Sequence, residues 1–326
     1  MNIYYTDHYV LPLPTGHRFP MRKYSALRER VAAVAAPLLR EPAAATRIEL
    51  ESAHDPAYVA AVCTGTLDAA AIRRIGFPWS LAMVERSRRS TGATIAACRG
   101  ALADGCSINL AGGTHHAHAS FGEGFCVFND AAVAARVLQA ERLVDHVLIV
   151  DLDVHQGDGT AAIFADDPTV FTLSMHGRGN FPFRKAQSDL DVDLDDGAGD
   201  KIYLATLDIM LSRVFERTRP ALAIYLAGAD PYVGDRLGKL ALTKTGLQQR
   251  DAYVLNALRT RGIPVAVVMA GGYADRIEDI VDIHFATVTT ALAQFGCGGV
   301  MRAPAKPHIS PRATTRNSPA RGKAAC

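Results

Sequence analysis

The segment His146 to Gly159, HVLIVDLDVHQGDG, constrains the fold more than any other stretch of the chain. Its short β-branched apolar run, Val147 to Val150, reads as a strand buried in a parallel sheet. The run stops at Asp151, Asp153 and His155, so polar groups gather at the carboxyl end of a strand, where open α/β sheets bind ligands. With a side-chain period of two, these three residues leave the backbone on one side, and a D-x-H pair there suits a divalent metal. An acidic loop capping the next helix is the competing reading. Gly157 and Gly159 permit a tight turn that brings Asp158 close to whatever the strand end holds.

The same punctuation recurs along the chain. Residues 2–5, 107–113, 170–175, 221–226 and 265–269 read as further strands. Helices are predicted at about 23–39, from Asp55-Pro56 onward, and at 80–103, where Gly105 breaks the pattern. Others follow from Asn129 or Asp130 to about 142, and at 160–164, 200–219, 245–261 and 275–295. Strands alternating with helices predict a parallel sheet with right-handed crossovers and helices on both faces. The run DLDVDLDD, residues 189–196, lacks the spacing of a calcium loop, and its alternation predicts a strand with its acids facing solvent. His17 and Arg18 read as solvated or structurally paired loop residues.

Hydrophobic residues make up 49% of the chain, ample for a large core, yet no apolar run reaches the roughly 18 residues of a membrane helix. The start, MNIYYTDHYV, is unlike a secretory signal, and the six cysteines show no C-x-x-C spacing, so reduced thiols and a cytoplasmic location are expected. Six of the 35 basic residues lie after residue 300 with no acid among them, which leaves 29 against 33 acids before it. The body is therefore mildly negative, suited to a cationic substrate and a poor nucleic-acid surface. Residues 301–326, rich in Pro, Ser, Thr, Ala and Arg, are expected to be a disordered basic tail.

Five strand ends carry chemical groups: His115 and His116, Asp151 to His155, Ser174 with His176, Asp230, and Tyr273. In a parallel sheet these ends open on one edge. Asp153, His155 and Asp230 supply three N/O ligands and leave a position for water, the pattern of a catalytic zinc site.

Through GGTHHA, GFCVFND, VDLDVHQGDG, SMH, AGAD and a final GGY, the chain resembles the histone deacetylase family, with its motifs in family order from about residue 3 to 295. The stretch YYTDHYVLPLPTGHRFPMRKY and the glutamine of DVHQGDG resemble the class IV branch. The resemblance implies a three-layer α/β fold of the arginase/deacetylase type over residues 1–300, with helices on both faces of a predominantly parallel, eight-stranded sheet. It also implies hydrolysis of N-acyl-lysine amides, with catalytic Zn2+ on Asp153, His155 and Asp230, and His116 as general base and acid. His115 would steady charge, Asp151 and Asp158 would orient His115 and His116, and Tyr273 would hold the oxyanion. Gly124, Phe125 and Phe181 would line the acyl-lysine tunnel. A structural K+ would use Asp151, Asp153, Ser174 and the main-chain oxygens of Asp153, His155 and Met175. The partner implied is an acyl-lysine protein or peptide, or an acylated small amine. One departure stands out: RRIGFPWS, residues 73–80, has no aspartate of the kind with which many members grip the substrate backbone.

Other readings remain open at this point. An acylpolyamine hydrolase needs the same site with a narrowed channel, for which the chain has no long insertion. A manganese ureohydrolase needs D-x-H-x-D, and residue 157 is glycine. A non-catalytic binding protein would keep the fold without reason to keep both histidines and the tyrosine.

Overall fold

Short strands buried on both faces organise the computed structural model, which describes residues 1–296. The strands are β1 (Ile3–Tyr4), β2 (Leu39–Arg40), β3 (Cys106–Asn109), β4 (Val147–Asp151), β5 (Val170–Gly177), β6 (Leu190–Leu194), β7 (Leu222–Leu226) and β8 (Val265–Val268). They form one eight-stranded sheet in the order β2-β1-β3-β8-β7-β4-β5-β6, and every pairing is parallel. The expected α/β architecture is thus present.

The helices are α1 (Arg22–Ala35), α2 (Arg47–Glu51), α3 (Pro56–Thr64), α4 (Ala69–Ile75), α5 (Leu81–Asp104), α6 (Asp130–Ala140), α7 (Asp158–Ile163), α8 (Asp200–Arg217), α9 (Lys244–Thr260) and α10 (Ile277–Phe295). They divide between the two faces. Leu148, Val150, Ala223, Tyr225, Val265 and Val267 point into a core shared with α1, α8, α9 and α10. Their neighbours Val147, Ile149, Leu222, Ile224, Leu226, Ala266 and Val268 point into the opposite core, under α3, α5 and α6. Burying each of the Val, Leu and Ile side chains among them contributes about 1.5–3 kcal/mol. Among the described residues no helix is long and apolar enough to cross a membrane.

Local chemistry sets the boundaries. Ser80 caps α5 by accepting from Met83 N, and Gly105, at φ 83°, ends it. Asn129, rather than Asp130, caps α6. The first helix stops at Ala35, short of the expected residue 39, because the next turn is a 3-10 helix containing Pro37 and Leu39–Arg40 then joins the sheet as an edge strand. Two short helices were not anticipated: α2, fixed by the Thr46 and Glu49 capping box, and α4, capped by Asp68. Four of the five acids of residues 189–196 are exposed as expected, and Asp191 is half-buried. Asp189 accepts from Thr172 N (2.8 Å) and Oγ1 (2.9 Å), and Asp191 accepts from Gln156 Nε2 (2.8 Å). The basic tail expected at 301–326 lies outside the described residues.

Candidate active site

After β3 the chain turns through Gly112 and Gly113, both at positive φ. A Cβ on Gly113 would sit 2.5 Å from Ala270 Cα, so only glycine lets the histidine loop lie against the turn after β8. Asp130, at the start of α6, pins that loop by accepting from Gly113 N (3.1 Å), Thr114 N (2.7 Å) and Thr114 Oγ1 (2.6 Å). The turn splays the adjacent histidines, whose ring centres lie 4.2 Å apart at 56°. Each then finds its own acid: His115 Nδ1 is 2.6 Å from Asp151, and His116 Nδ1 is 2.6 Å from Asp158.

The two rings are held in different charge states. Burial opposes charge on His115, but Asp151 and Asp153 outweigh it and raise the ring to about 9. Burial and then the charge on His115 lower His116 to about 4. At neutral pH His116 is the neutral partner, with Nδ1 on Asp158 and Nε2 left to act as a base.

Beyond β4, Asp153 Oδ1 accepts from His155 N (3.0 Å) and Asp153 Oδ2 from Gly271 N (2.7 Å). Beyond β7, Asp230 Oδ1 accepts from Val154 N (2.9 Å). Ligand atoms of Asp153, His155 and Asp230 lie within 4.8 Å of one another, and all three residues are buried. Asp230 Oδ2 has no hydrogen bond although His155 Nδ1 is 3.3 Å away. Gly271 closes the cradle: a Cβ there would stand 1.9 Å from Asp230 Oδ2 and 2.5 Å from Asp153 Oδ2. Two carboxylates so close repel; burial and then Asp153 raise Asp230 to about 7, while against its own burial His155 is pushed up to about 10 by the two acids. An orphaned, buried carboxylate oxygen in a set of two carboxylates and an imidazole fits a divalent cation in place of the shared proton.

Tyr273 follows the turn after β8. Its amide donates to Asp235 Oδ2 (2.6 Å), its carbonyl accepts from Arg236 Nε (3.0 Å), and its ring centre is 6.5 Å from that of His155. Burial, and then the negative charges of Asp153 and Asp230, raise its hydroxyl well above the usual tyrosine range, so it remains a donor. His115, His116, Asp153, His155 and Tyr273 open on a cavity of about 460 Å³ that Gly124, Phe125 and Phe181 also line. The Phe181 ring stands edge-on to His116 at 4.9 Å, and the Phe125 ring lies 6.0 Å from that of Tyr273.

The residues expected to hold K+ gather around the carboxyl ends of β4 and β5. Asp151 is in register with Ser174 across β4 and β5, but its carboxylate already engages His115 and Asp153 N, and Ser174 Oγ lies 2.9 Å from His176 Nδ1. Met175 is fully buried beside them. His17 is a structural residue, with Nε2 2.9 Å from Gly76 O and Nδ1 accepting from Phe19 N. Arg18, in contrast, reaches the mouth of the cavity with Arg74, Lys239 and a single acid, Glu123. At the mouth, basic side chains thus outnumber acidic ones although the body as a whole is mildly negative.

Two groups escaped the sequence reading. Lys23 donates to Ala270 O (3.4 Å) and Gly272 O (3.3 Å) beneath the Tyr273 turn. His54 bridges His118 O and Asn129 N, each at 2.9 Å, and ties the histidine loop to α6. The signal for Lys23 was present: it falls on the buried stripe Lys23, Leu27, Val31 of α1, where a charged residue needs a partner.

A family model described as the histone deacetylase domain matches residues 17–288. An uncharacterized protein of Picosynechococcus sp. is 48% identical over 285 residues, which is 86% of this chain and 95% of that protein. Histone deacetylase 2 of Arabidopsis thaliana is 35% identical over 204 residues, 59% of this chain, and the chain spans about half (53%) of its length. Among solved structures, an HDAC homolog from Aquifex aeolicus has a TM-score of 0.77 at 24% identity, covering 89% of this chain and 83% of its own. An HDAC homolog complexed with SAHA has a TM-score of 0.76 at 24% identity, covering 90% and 88%. The structural likenesses establish the fold.

Proposed function

Because the chain belongs to the histone deacetylase family, we propose that it hydrolyses N-acyl-lysine amides with zinc held by Asp153, His155 and Asp230. The observation that carries this reading is the unpartnered Asp230 Oδ2, buried 3.3 Å from Nδ1 of His155, which lines the cavity together with Tyr273 and His116. When bound, the zinc would supply Lewis acidity for the acyl carbonyl and bring the pKa of water from about 15.7 towards about 7. His116, oriented by Asp158, takes the proton of the attacking water and returns it to the leaving amine. The Tyr273 hydroxyl donates to the oxygen on which negative charge develops. His115, held charged by Asp151, lowers the cost of that charge, and Phe125 and Phe181 exclude bulk water. Free thiols at Cys63, Cys98, Cys106 and Cys126 accord with a cytoplasmic setting.

The mouth favours acyl-lysine over an acylpolyamine. Among the described residues, neither Arg18 nor Arg74 has an acidic partner within ion-pair distance, so a polyamine would meet like charge on entry. Acyl-lysine peptides with acidic flanking residues should exceed lysine-flanked ones by about 3–10-fold in kcat/KM, with the difference shrinking at high salt, since exposed pairs are each worth about 0.2–1 kcal/mol. Acetylspermidine should be the poorest substrate of the series. Fastest turnover of acetylspermidine would replace the lysine reading with the polyamine one.

A further inference from the structure

Behind the three candidate ligands, on the side away from the cavity, lies an ion pair that the chemistry does not use. Arg250 and Asp251, both on α9, have no exposed surface. Arg250 Nη1 donates to Leu152 O (3.1 Å) and to Gly228 O (2.7 Å). Leu152 immediately precedes Asp153, and Gly228 stands two residues before Asp230. The β4–β7 register ends at Asp151 and Leu226, and beyond it the two strands give way to the loops that carry the ligands. One nitrogen therefore bridges the two loops where regular pairing has ended.

The guanidinium is itself fixed from behind. Its Nε donates to Asp251 Oδ1 (2.9 Å), and Asp251 also accepts from Tyr225 OH (2.6 Å) on β7 and from Thr287 Oγ1 on α10. Residues from α9, α10 and the sheet thus converge on one fork. A buried pair of this kind is weak evidence for stability, because apolar residues of similar volume often replace it without loss. Lysine could not reproduce the geometry, since it cannot hold a carboxylate on one edge and two carbonyls on another.

We propose that Arg250 is a positioning residue for the divalent ion: by clamping the carbonyls of Leu152 and Gly228 it sets the separation of the Asp153 and Asp230 carboxylates. The inference rests on the reading of Asp153, His155 and Asp230 as a metal site. The amides of Gly271 and Val154 orient the carboxylates from the front, and Arg250 fixes the distance between their backbones. Tyr225, Asp251 and Thr287 hold the clamp rather than the ion.

The test is zinc affinity, measured by competition with a chromophoric chelator, beside thermal unfolding of the same metal-free samples. Arg250→Lys and Arg250→Met should bind zinc about 10–100-fold more weakly, the usual effect of losing an outer support of a metal site. Thr287→Val, which loosens Asp251 and leaves Arg250 in place, should weaken it by a smaller factor. Folded Arg250 variants with wild-type zinc affinity overturn the clamp. Should neither fold, Thr287→Val decides: weaker zinc supports the proposal, and unchanged affinity overturns it. Wild-type protein that binds no zinc, or binds it as well after Asp230→Ala, overturns the metal-site reading itself, and the clamp with it.

Discussion

Asp230→Ala should purify with little zinc and without measurable hydrolysis of acyl-lysine peptides. Two ligands would remain, Asp153 and His155, too few to hold a catalytic ion that normally has three protein ligands. The change also removes the acceptor of the Val154 amide, a buried donor whose loss of partner costs about 1–3 kcal/mol. Asp230→Asn separates the two effects. Its amide oxygen can still accept from Val154 N, so stability should largely return while the missing charge keeps zinc occupancy low. Metal analysis of the purified proteins decides the matter, and full occupancy with a normal rate in Asp230→Ala would remove this residue from the site.

For Tyr273→Phe, kcat should fall by roughly 10²–10³, about 2.7–4 kcal/mol, with KM little changed. The hydroxyl is kept protonated by burial and by the negative charges of Asp153 and Asp230, so it is a donor ready before the reaction begins. The turn that places it is fastened through main-chain atoms, by Asp235 to the amide and by Arg236 to the carbonyl. Phenylalanine keeps both bonds and the ring contact with Phe125. The loss therefore isolates the hydroxyl. An increase confined to KM would make Tyr273 a binding residue.

Much of this arrangement was legible in residue order, for definite reasons. The central strands announce themselves because both faces are buried, so Val147 to Val150, Leu222 to Leu226 and Val265 to Val268 are nearly unbroken apolar runs. The edge strand at Leu39–Arg40 carries no such run, and its pairing with β1 depends on tertiary placement. The short helix α2 depends on a capping box rather than on periodicity. At the site, residues in compact motifs could be read, because D-x-H and H-H declare their chemistry locally. His54 and Arg250 could not, since each acts on main-chain atoms far away in sequence, which no spacing reveals, whereas Lys23 stood out only as a charge on the buried stripe of α1. Of the acids of 189–196 only Asp191 departs from the expected exposure, because alternation reports a face and says nothing of a neighbour such as Gln156 that folds over it.

The strand order also dictates when the site comes into being during synthesis. The first three strands lie together at one side of the sheet and the next three at the other, while the last two to leave the ribosome, β7 and β8, fill the gap between them. Before they emerge the nascent chain has strands for two separate half-sheets only, and any sheet formed from them would have open apolar edges of the kind that invite aggregation. His115 and His116 then belong to one half, Asp153 and His155 to the other, and Asp230 and Tyr273 arrive with the keystone. The candidate site is therefore complete only once β7 and β8 are made, so a chain stalled or cut before residue 222 keeps open apolar edges and lacks Asp230 and Tyr273.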